Sequence, residues 1–306
     1  MSCAYLSHPA CGEHEPGPYH PERPQRLSAV RDRLMADGLL DLLDKPPVTP
    51  VAIDRIDRIH APAYVRDIEA ASPHRGRVSL DPDTAMSPGS LEATLAACGA
   101  TVAAVDYVMA GDGPRRAFCN IRPPGHHAER DRAMGFCLFN AVALSAFHAL
   151  DAYQLDRVAV LDFDVHHGNG TEDIVRGEKR LCYASSFQHP LFPYSSLAQE
   201  PRHIVKTPLD AGTDGDGFRQ AITRDWLDLL DHWQPQLVIF SAGFDAHSAD
   251  PLAGLELSAE DFAWVTGAVI DAVGDDVPVT SVLEGGYDLD ALGESAAVHV
   301  RALAGL

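Results

Sequence analysis

The chain has 306 residues, 46% hydrophobic and 22% charged, an ordinary globular composition that supplies one large core and makes a single domain over residues 1–306 the default. Its 24 Lys and Arg stand against 44 Asp and Glu, a formal net charge of -20, which repels phosphate backbones, excludes nucleic acid as an expected direct ligand and favours basic or amine-bearing ones. No window approaches eighteen uninterrupted apolar residues, the amino terminus lacks the basic start and apolar core of a signal peptide, and six scattered cysteines form no CxxC pair; we therefore expect a cytoplasmic protein with no membrane segment, no disulfide framework and no thiolate metal site.

Ser7 to Gln25, rich in His, Pro, Gly and Glu without a hydrophobic period, reads as a surface loop. Within it His8, Glu13, His14 and His20 either touch a ligand or serve as solvated caps. Leu27, Val30, Leu34 and Leu39 predict a packing helix from Pro24 to about Leu43, interrupted near its end by Gly38. A second helical region is expected over Ile53 to Ala71, followed by a turn-rich acidic loop, Ser79 to Pro88, in which Asp81 and Asp83 make turns. From Pro88 to Ala110 the spacing of Leu91, Leu95, Cys98, Val102, Val105 and Met109 predicts a long amphipathic helix stopped by Gly111, Asp112 and Gly113.

A brief strand from Ala117 then runs into Arg122, two prolines, Gly125 and the tandem His126 and His127. Adjacent histidines in a Pro/Gly-fixed loop are poor core material, since their ring nitrogens need partners and the two side chains diverge, so proton transfer is the better reading. Gly135 and Phe136 lack periodic context and are assigned to the wall of an apolar channel, whereas Phe139 either joins that wall or starts a helix reaching about Tyr153.

The stretch Val158 to Gly170, VAVLDFDVHHGNG, is an apolar strand that abruptly delivers acids and histidines. If the extended conformation persists, Asp162, Asp164 and His166 share one face and Phe163, Val165 and His167 the other. A carboxylate and an imidazole two residues apart can then share one ion. The competing assignment, acids capping the next helix and histidines in the core, would leave several buried charges without partners at several kcal/mol each.

Further along, Thr171 to Val175 reads as a short helix, Arg180 to Ser185 as a strand, and Tyr194 to Gly217 as a long irregular connection. A helix over Phe218 to Asp231 precedes a buried strand, Leu237 to Ser241, that runs into Asp245. Helix Ala259 to Ala272, strand Val277 to Leu283, the sequence EGGYDL with Tyr287, and a closing helix complete the chain. Four strand-like runs thus end in RPPGHH, DFDVHHGN, GFDAH and EGGY. In an open parallel α/β sheet ligands sit beyond the carboxyl ends of the strands, so these clusters should converge. They supply two carboxylates and a histidine for a metal, two histidines for proton transfer and a tyrosine able to donate to an oxyanion.

RPPGHHA, GFCLFN, LDFDVHHGNGT, SAGFDAH with DPL, and EGGYDL resemble, in order and over most of the chain, the zinc-dependent histone deacetylase superfamily, which includes acetylpolyamine amidohydrolases; HHGNG and EGGYDL look closer to its class II branch than to class I. The resemblance implies an arginase-like, three-layer α/β/α fold with a mainly parallel sheet. It assigns Asp164, His166 and Asp245 to zinc, His126 and His127 to the histidine pair, and Tyr287 to the substrate carbonyl. Asp162 would support His126 and Asn169 would support His127. Because an Asn partner stabilises an imidazolium less than Asp does, His127 should be the easier of the pair to deprotonate. A structural potassium ion is implied at Asp162, Asp164, His166, Ser185 and Ser186, tunnel walls at Phe136 and Phe192, and a grip on the substrate backbone at Asp83. The sequence departs from the family where FPYSS replaces FPGTG after the tunnel phenylalanine.

Three rivals remain. Acetylpolyamine hydrolysis is disfavoured by the neutral Leu252, where one polyamine-selective relative carries Glu, and is kept open by Glu13. A binuclear manganese hydrolase needs another Asp where His247 stands. A non-catalytic reader of acylated ligands would need neither Tyr287 nor the loop histidines. The expected partner is an acylated lysine peptide or acylated small amine, and a homo-oligomer is allowed.

Overall fold

A computed structural model describes residues 2–110, 115–198 and 200–306. Its elements in chain order are β1 (Ser2–Leu6), α1 (Gln25–Ala36), α2 (Pro62–Ala71), β2 (Val78–Ser79), β3 (Ala85–Met86), α3 (Ser90–Met109), β4 (Arg115–Cys119), α4 (Ala141–Ala152) and β5 (Val158–Asp162). There follow α5 (Asn169–Val175), β6 (Leu181–Gln188), β7 (Ile204–Leu209), α6 (Gly215–Ile222), α7 (Asp228–Trp233), β8 (Leu237–Ala242), α8 (Ala259–Val273), β9 (Val279–Leu283) and α9 (Leu289–Ala304). Seven strands form one parallel sheet in the order β1-β4-β9-β8-β5-β6-β7.

The sheet is buried on both faces, which is why its strands read as continuous apolar runs. Along β5, Val158 and Val160 pack into a core shared with α3 and α4. Ala159 and Leu161 face the opposite core, shared with α1, α8 and α9. This period of two divides the protein into the three layers α/β/α. The four strands that end in polar clusters, β4, β9, β8 and β5, are consecutive in the sheet, so their carboxyl ends open on one place.

Several elements differ from the sequence expectations. The first helix stops at Ala36, where Asp37 and the left-handed Gly38 (φ 69°) turn the chain; Leu40–Leu42 is a separate 3-10 turn. The second helical region is two pieces, a 3-10 segment Ile53–Arg58 and α2, divided where Pro62 can only open a helix. The loop before α3 contains the small antiparallel pair β2 and β3. Helix α3 is less clearly amphipathic than its spacing suggests: most residues from Ala93 to Val108 are buried against the sheet and α4, and only a narrow stripe with Glu92 and Asp106 is exposed. By length and composition it would pass for a membrane span, but 67% of its most apolar 18-residue window is buried in this domain. The stop at residues 111–113 lies outside the described residues.

The irregular connection expected over Tyr194 to Gly217 contains β7, an edge strand whose exposed Pro208 and half-buried Val205 and Lys206 disguise it as loop. Strand β6 runs three residues beyond Ser185, to Gln188. The helix predicted from Phe218 begins at Gly215, capped by Asp214, and continues through a π turn, Thr223–Leu227, into α7. Strand β1 carried no sequence expectation; it pairs with β4 at the other edge.

Candidate metal centre

Strands β5 and β8 are paired in register, Asp162 opposite Ser241, so the segments leaving them emerge side by side. Asp164, His166 and Asp245 then offer ligand atoms that all lie within 4.8 Å of one another. His166 Nδ1 stands 3.2 Å from Asp164 Oδ1 and 3.1 Å from Asp245 Oδ2. Backbone groups aim both carboxylates: Gly285 N–H donates to Asp164 Oδ2 at 2.8 Å and Val165 N–H to Asp245 Oδ1 at 2.9 Å. Two glycines permit that closeness. A Cβ on Gly243 would lie 2.0 Å from Asp164 Oδ2, and one on Gly285 2.1 Å from Asp245 Oδ2.

Burial pushes the Asp245 carboxyl up to about 7, with the Asp164 charge adding to the rise. For His166, burial works downward and is outweighed by Asp164 and Asp245, which hold the imidazole up at about 10. Two adjoining buried carboxylates therefore call for a cation. A donor set of two carboxylate oxygens and one imidazole nitrogen is one that suits zinc with an open position.

The two loop histidines are held differently. His126 Nδ1 is 3.1 Å from Asp162 Oδ2, which also accepts the Tyr183 hydroxyl at 2.9 Å. Burial disfavours its imidazolium, but the carboxylates of Asp164, Asp162 and Glu284 outweigh burial and raise it well above the ordinary imidazole range. His127 Nδ1 is 2.8 Å from Asn169 Oδ1. Burial, together with the positive fields of His126 and His166, holds His127 well below that range. The pair is thus split into an acid-like and a base-like member; for His127 the lowering comes from burial and the neighbouring imidazoles, against which the Asn169 hydrogen bond works upward.

Phe136, Phe192, Gly135, Leu252 and Asp83 line one cavity of ≈ 220 Å³ together with His127, His166 and Tyr287. Phe192 meets the His127 ring edge-on at 5.1 Å and Phe136 the Tyr287 ring at 5.9 Å. Gly135, at φ 55°, must be glycine, because a Cβ would sit 2.4 Å from the His127 ring. Asp81 makes the turn by accepting the Asp83 and Thr84 N–H groups, which leaves Asp83 at the cavity, its carboxyl raised by burial and by Asp81. Phe139 belongs instead to the core beside His60 and Tyr64. Leu191, just before the divergent FPYSS stretch, and Tyr194, within it, are added to the wall.

The amino-terminal histidines divide. His20 packs edge-on against Phe136 at 4.6 Å and so backs the cavity wall. His14 is buried between Ser90 and Glu22, His8 caps a 3-10 turn, and Glu13 is exposed beside Gly89, outside the cavity. Ser185 stands beside Asp162 in register and takes His167 Nδ1 at 3.1 Å, while the buried Ser186 hydroxyl has no hydrogen-bond partner among the described residues. His247 accepts the Ala249 N–H at 3.1 Å through Nδ1 and takes no part in the acid cluster.

Three supporting groups carried no sequence expectation. Glu284 accepts the Gly125 and His126 N–H groups at 2.7 and 3.2 Å. Asp250 accepts the Tyr287 N–H at 2.6 Å and the Leu252 N–H at 3.0 Å. Fully buried Glu22 joins Arg122, at 2.5 Å, to Arg26, whose guanidinium donates to the Gly286 and Glu284 carbonyls beneath Tyr287. Glu284, Asp250 and Arg122 lie inside the motifs EGGYDL, DPL and RPPGHHA, but those motifs do not name their partners.

A parallel three-layer sheet with acids and histidines gathered at its carboxyl edge defines an arginase-like α/β fold. The crystal structure of the HDA15 HD domain superposes on it with a TM-score of 0.93 at 28% identity, covering 99% of this chain and 88% of that one. The histone deacetylase domain model matches residues 20–303. Among curated relatives, an uncharacterised Synechocystis protein is 38% identical over 95% of both chains. A probable deacetylase of Methanothermobacter thermautotrophicus is 36% identical over 94% of this chain and 86% of its own. A histone deacetylase-like amidohydrolase of Pseudomonas aeruginosa is 36% identical over 83% and 68%. The chain belongs to the histone deacetylase family and is an amidohydrolase of deacetylase type.

Proposed function

We propose that this protein is a zinc-dependent deacetylase that removes acetyl or other acyl groups from acylated lysine side chains or related amines. The observation that carries the proposal is the convergence of Asp164, His166 and Asp245 within 4.8 Å at a cavity that His127 and Tyr287 also line. Zinc held by those three residues would lower the pKa of a water toward about 7 and polarise an amide carbonyl. His127, with Nδ1 engaged by Asn169, offers Nε2 to take the water's proton and return it to the leaving amine. His126, kept charged by Asp164, Asp162 and Glu284, supplies a positive field beside it. Tyr287, its phenol raised well above the ordinary value by burial and by Asp245, stays protonated and donates to the developing oxyanion. Phe136 and Phe192 wall a passage for an aliphatic chain, and Asp83 stands where a substrate backbone N–H would pass.

Leu252 at the cavity and Glu13 outside it favour acyl-lysine over acylated polyamines. A structural potassium ion is the family expectation for the region of Asp162, Ser185 and Ser186; the unpartnered Ser186 hydroxyl is the feature that goes with it. The test is side-by-side turnover of an acetyl-lysine peptide, longer acyl-lysines and acetylputrescine by zinc-loaded protein. The peptide should be the better substrate. No hydrolysis of any of them, with stoichiometric zinc and tight ligand binding, would replace the enzyme by a reader of acylated ligands.

A further inference from the structure

The proposed mechanism gives Glu129 no task, yet this residue is tied to the base. Its backbone is fixed on both sides: the N–H donates to the Arg132 carbonyl at 2.9 Å and the carbonyl accepts His60 Nδ1 at 2.8 Å. Its carboxylate is divided between two neighbours. Oε2 pairs with Arg132 at 3.0 Å, and Oε1 accepts Asn169 Nδ2 at 2.6 Å. The other Asn169 contact of Nδ2 is Met134 Sδ, at 3.3 Å.

An asparagine presents either a carbonyl or an NH2 group to a neighbour with nearly the same shape, and its remaining partners decide which. Here the carboxylate and the thioether, both acceptors, lie on one side of Asn169. The NH2 group must face them, so the carbonyl is what His127 meets, at 2.8 Å. A carbonyl only accepts. His127 Nδ1 must therefore carry the proton, and Nε2 is left with its lone pair. A turned amide would set its oxygen against the Glu129 carboxylate and offer a donor to His127, which stabilises the opposite and unproductive tautomer.

We infer that Glu129 is a positioning residue that sets the tautomer of His127 by locking the Asn169 amide. Its outer side faces a second, polar cavity of ≈ 250 Å³ shared with Glu172, Asp173, Arg176 and Lys206, so water reaches the carboxylate and no uncompensated charge is buried. The inference rests on the proposed role of His127 as base. It carries a consequence for position 169: an Asp there is compatible with this loop only if position 129 is not acidic.

The test exchanges the two groups. Glu129→Leu removes the acceptor, and Asn169→Asp sets two carboxylates against each other at a contact now 2.6 Å long. Each should lower kcat/KM by about 10- to 100-fold. The double variant Glu129→Gln, Asn169→Asp restores an amide-to-carboxylate bond with the acceptor still facing His127. It should recover most of what Asn169→Asp loses, a sign reversal that general loosening of the loop does not produce. Losses that simply multiply would overturn the inference. The second readout needs no turnover: imidazole nitrogen NMR should show His127 as the Nδ1–H tautomer in the wild type and the exchange variant, and as a mixture in Glu129→Leu. A single Nδ1–H tautomer in a folded Glu129→Leu protein would also overturn it. Should that variant not fold, Asn169→Asp against the exchange variant decides. A wild type without amidase activity removes the proposed function, while the tautomer measurement still tests this assignment.

Discussion

The Glu284 carboxylate accepts the backbone N–H of Gly125 at 2.7 Å, joining the end of β9 to the loop that carries both histidines. Burial pushes this carboxyl up to about 7, and its second oxygen has no hydrogen-bond partner among the described residues. A buried acid is retained here because it fixes two adjacent amides that face away from any strand. Glu284→Ala should leave those amides unsatisfied, cost about 1–3 kcal/mol of stability and lower kcat by about 10- to 100-fold through displacement of the histidine loop. Glu284→Gln, which still accepts through its carbonyl, should keep more activity than the Ala variant. Denaturant unfolding alongside kinetics checks both statements; equal kinetics for Ala and wild type would remove Glu284 from the positioning of that loop.

Tyr287 and His127 line the cavity from different loops, so their contributions separate. Tyr287→Phe deletes one oxyanion donor and should lower kcat by about 10²- to 10³-fold with little change in substrate KM. His127→Ala removes the base and should cost at least as much. Neither should unfold the protein, since each side chain ends at the cavity. Steady-state kinetics with zinc content verified is the measurement. Near-wild-type turnover by either variant would strike that residue from the mechanism.

The acid cluster predicts a metal-linked stability. Asp164 and Asp245 repel each other in the folded chain and not in the unfolded one, so a cation bound only by the native state should raise the melting temperature. Zinc at about 100 times its Kd would add roughly 2.7 kcal/mol. The Asp245→Asn variant should lose most of that shift, and its unliganded form should be no less stable than the wild type because one buried charge is gone. Thermal melts with added zinc and with chelator test this. An unchanged melting temperature on zinc addition to chelator-treated wild type would argue against a site at these residues.

Much of this arrangement was legible in the chain because each strand bearing a cluster is a buried parallel strand, and a buried strand announces itself by apolar length. Asp164, His166, Asp245 and Tyr287 follow such runs within four residues, and the two histidines follow β4 after a short Pro/Gly loop. What failed to show was governed by contacts made at a distance. Edge strand β7 has one side in solvent and a proline, so it lacks the apolar run. Helix α3 is enclosed over most of its circumference, and small residues such as Ala97 and Ala100 obscure the period by which its contacts are recognised. Glu22, Arg26 and Arg122 are charges that would be assigned to the surface singly; only their mutual pairing makes burial tolerable. No local pattern encodes that pairing.

His299 yields the last prediction, one remote from the acid cluster. Its ring is fully buried in α9, hydrogen-bonded to Thr266 at 2.6 Å and Ser281 at 2.8 Å, among Phe118, Phe163, Phe240 and Phe244. Burial alone lowers it to about 3. In the unfolded chain the same imidazole takes a proton near 6.5. The unfolded state therefore binds an extra proton between those values, so stability is fully present above 6.5 and is lost as pH falls toward about 3. At about two units below the unfolded value the loss from this one group is roughly 2.7 kcal/mol. His60, also buried and lowered to about 4, acts in the same direction. Replacing His299 with Gln keeps hydrogen-bonding capacity toward the two hydroxyls while removing the titration. The variant should be less stable at neutral pH from poorer packing, yet its stability should fall less steeply through the range from 6 to 4. Urea unfolding across that range compares the slopes, and parallel curves for variant and wild type would show that His299 takes up its proton in the folded state as readily as in the unfolded one.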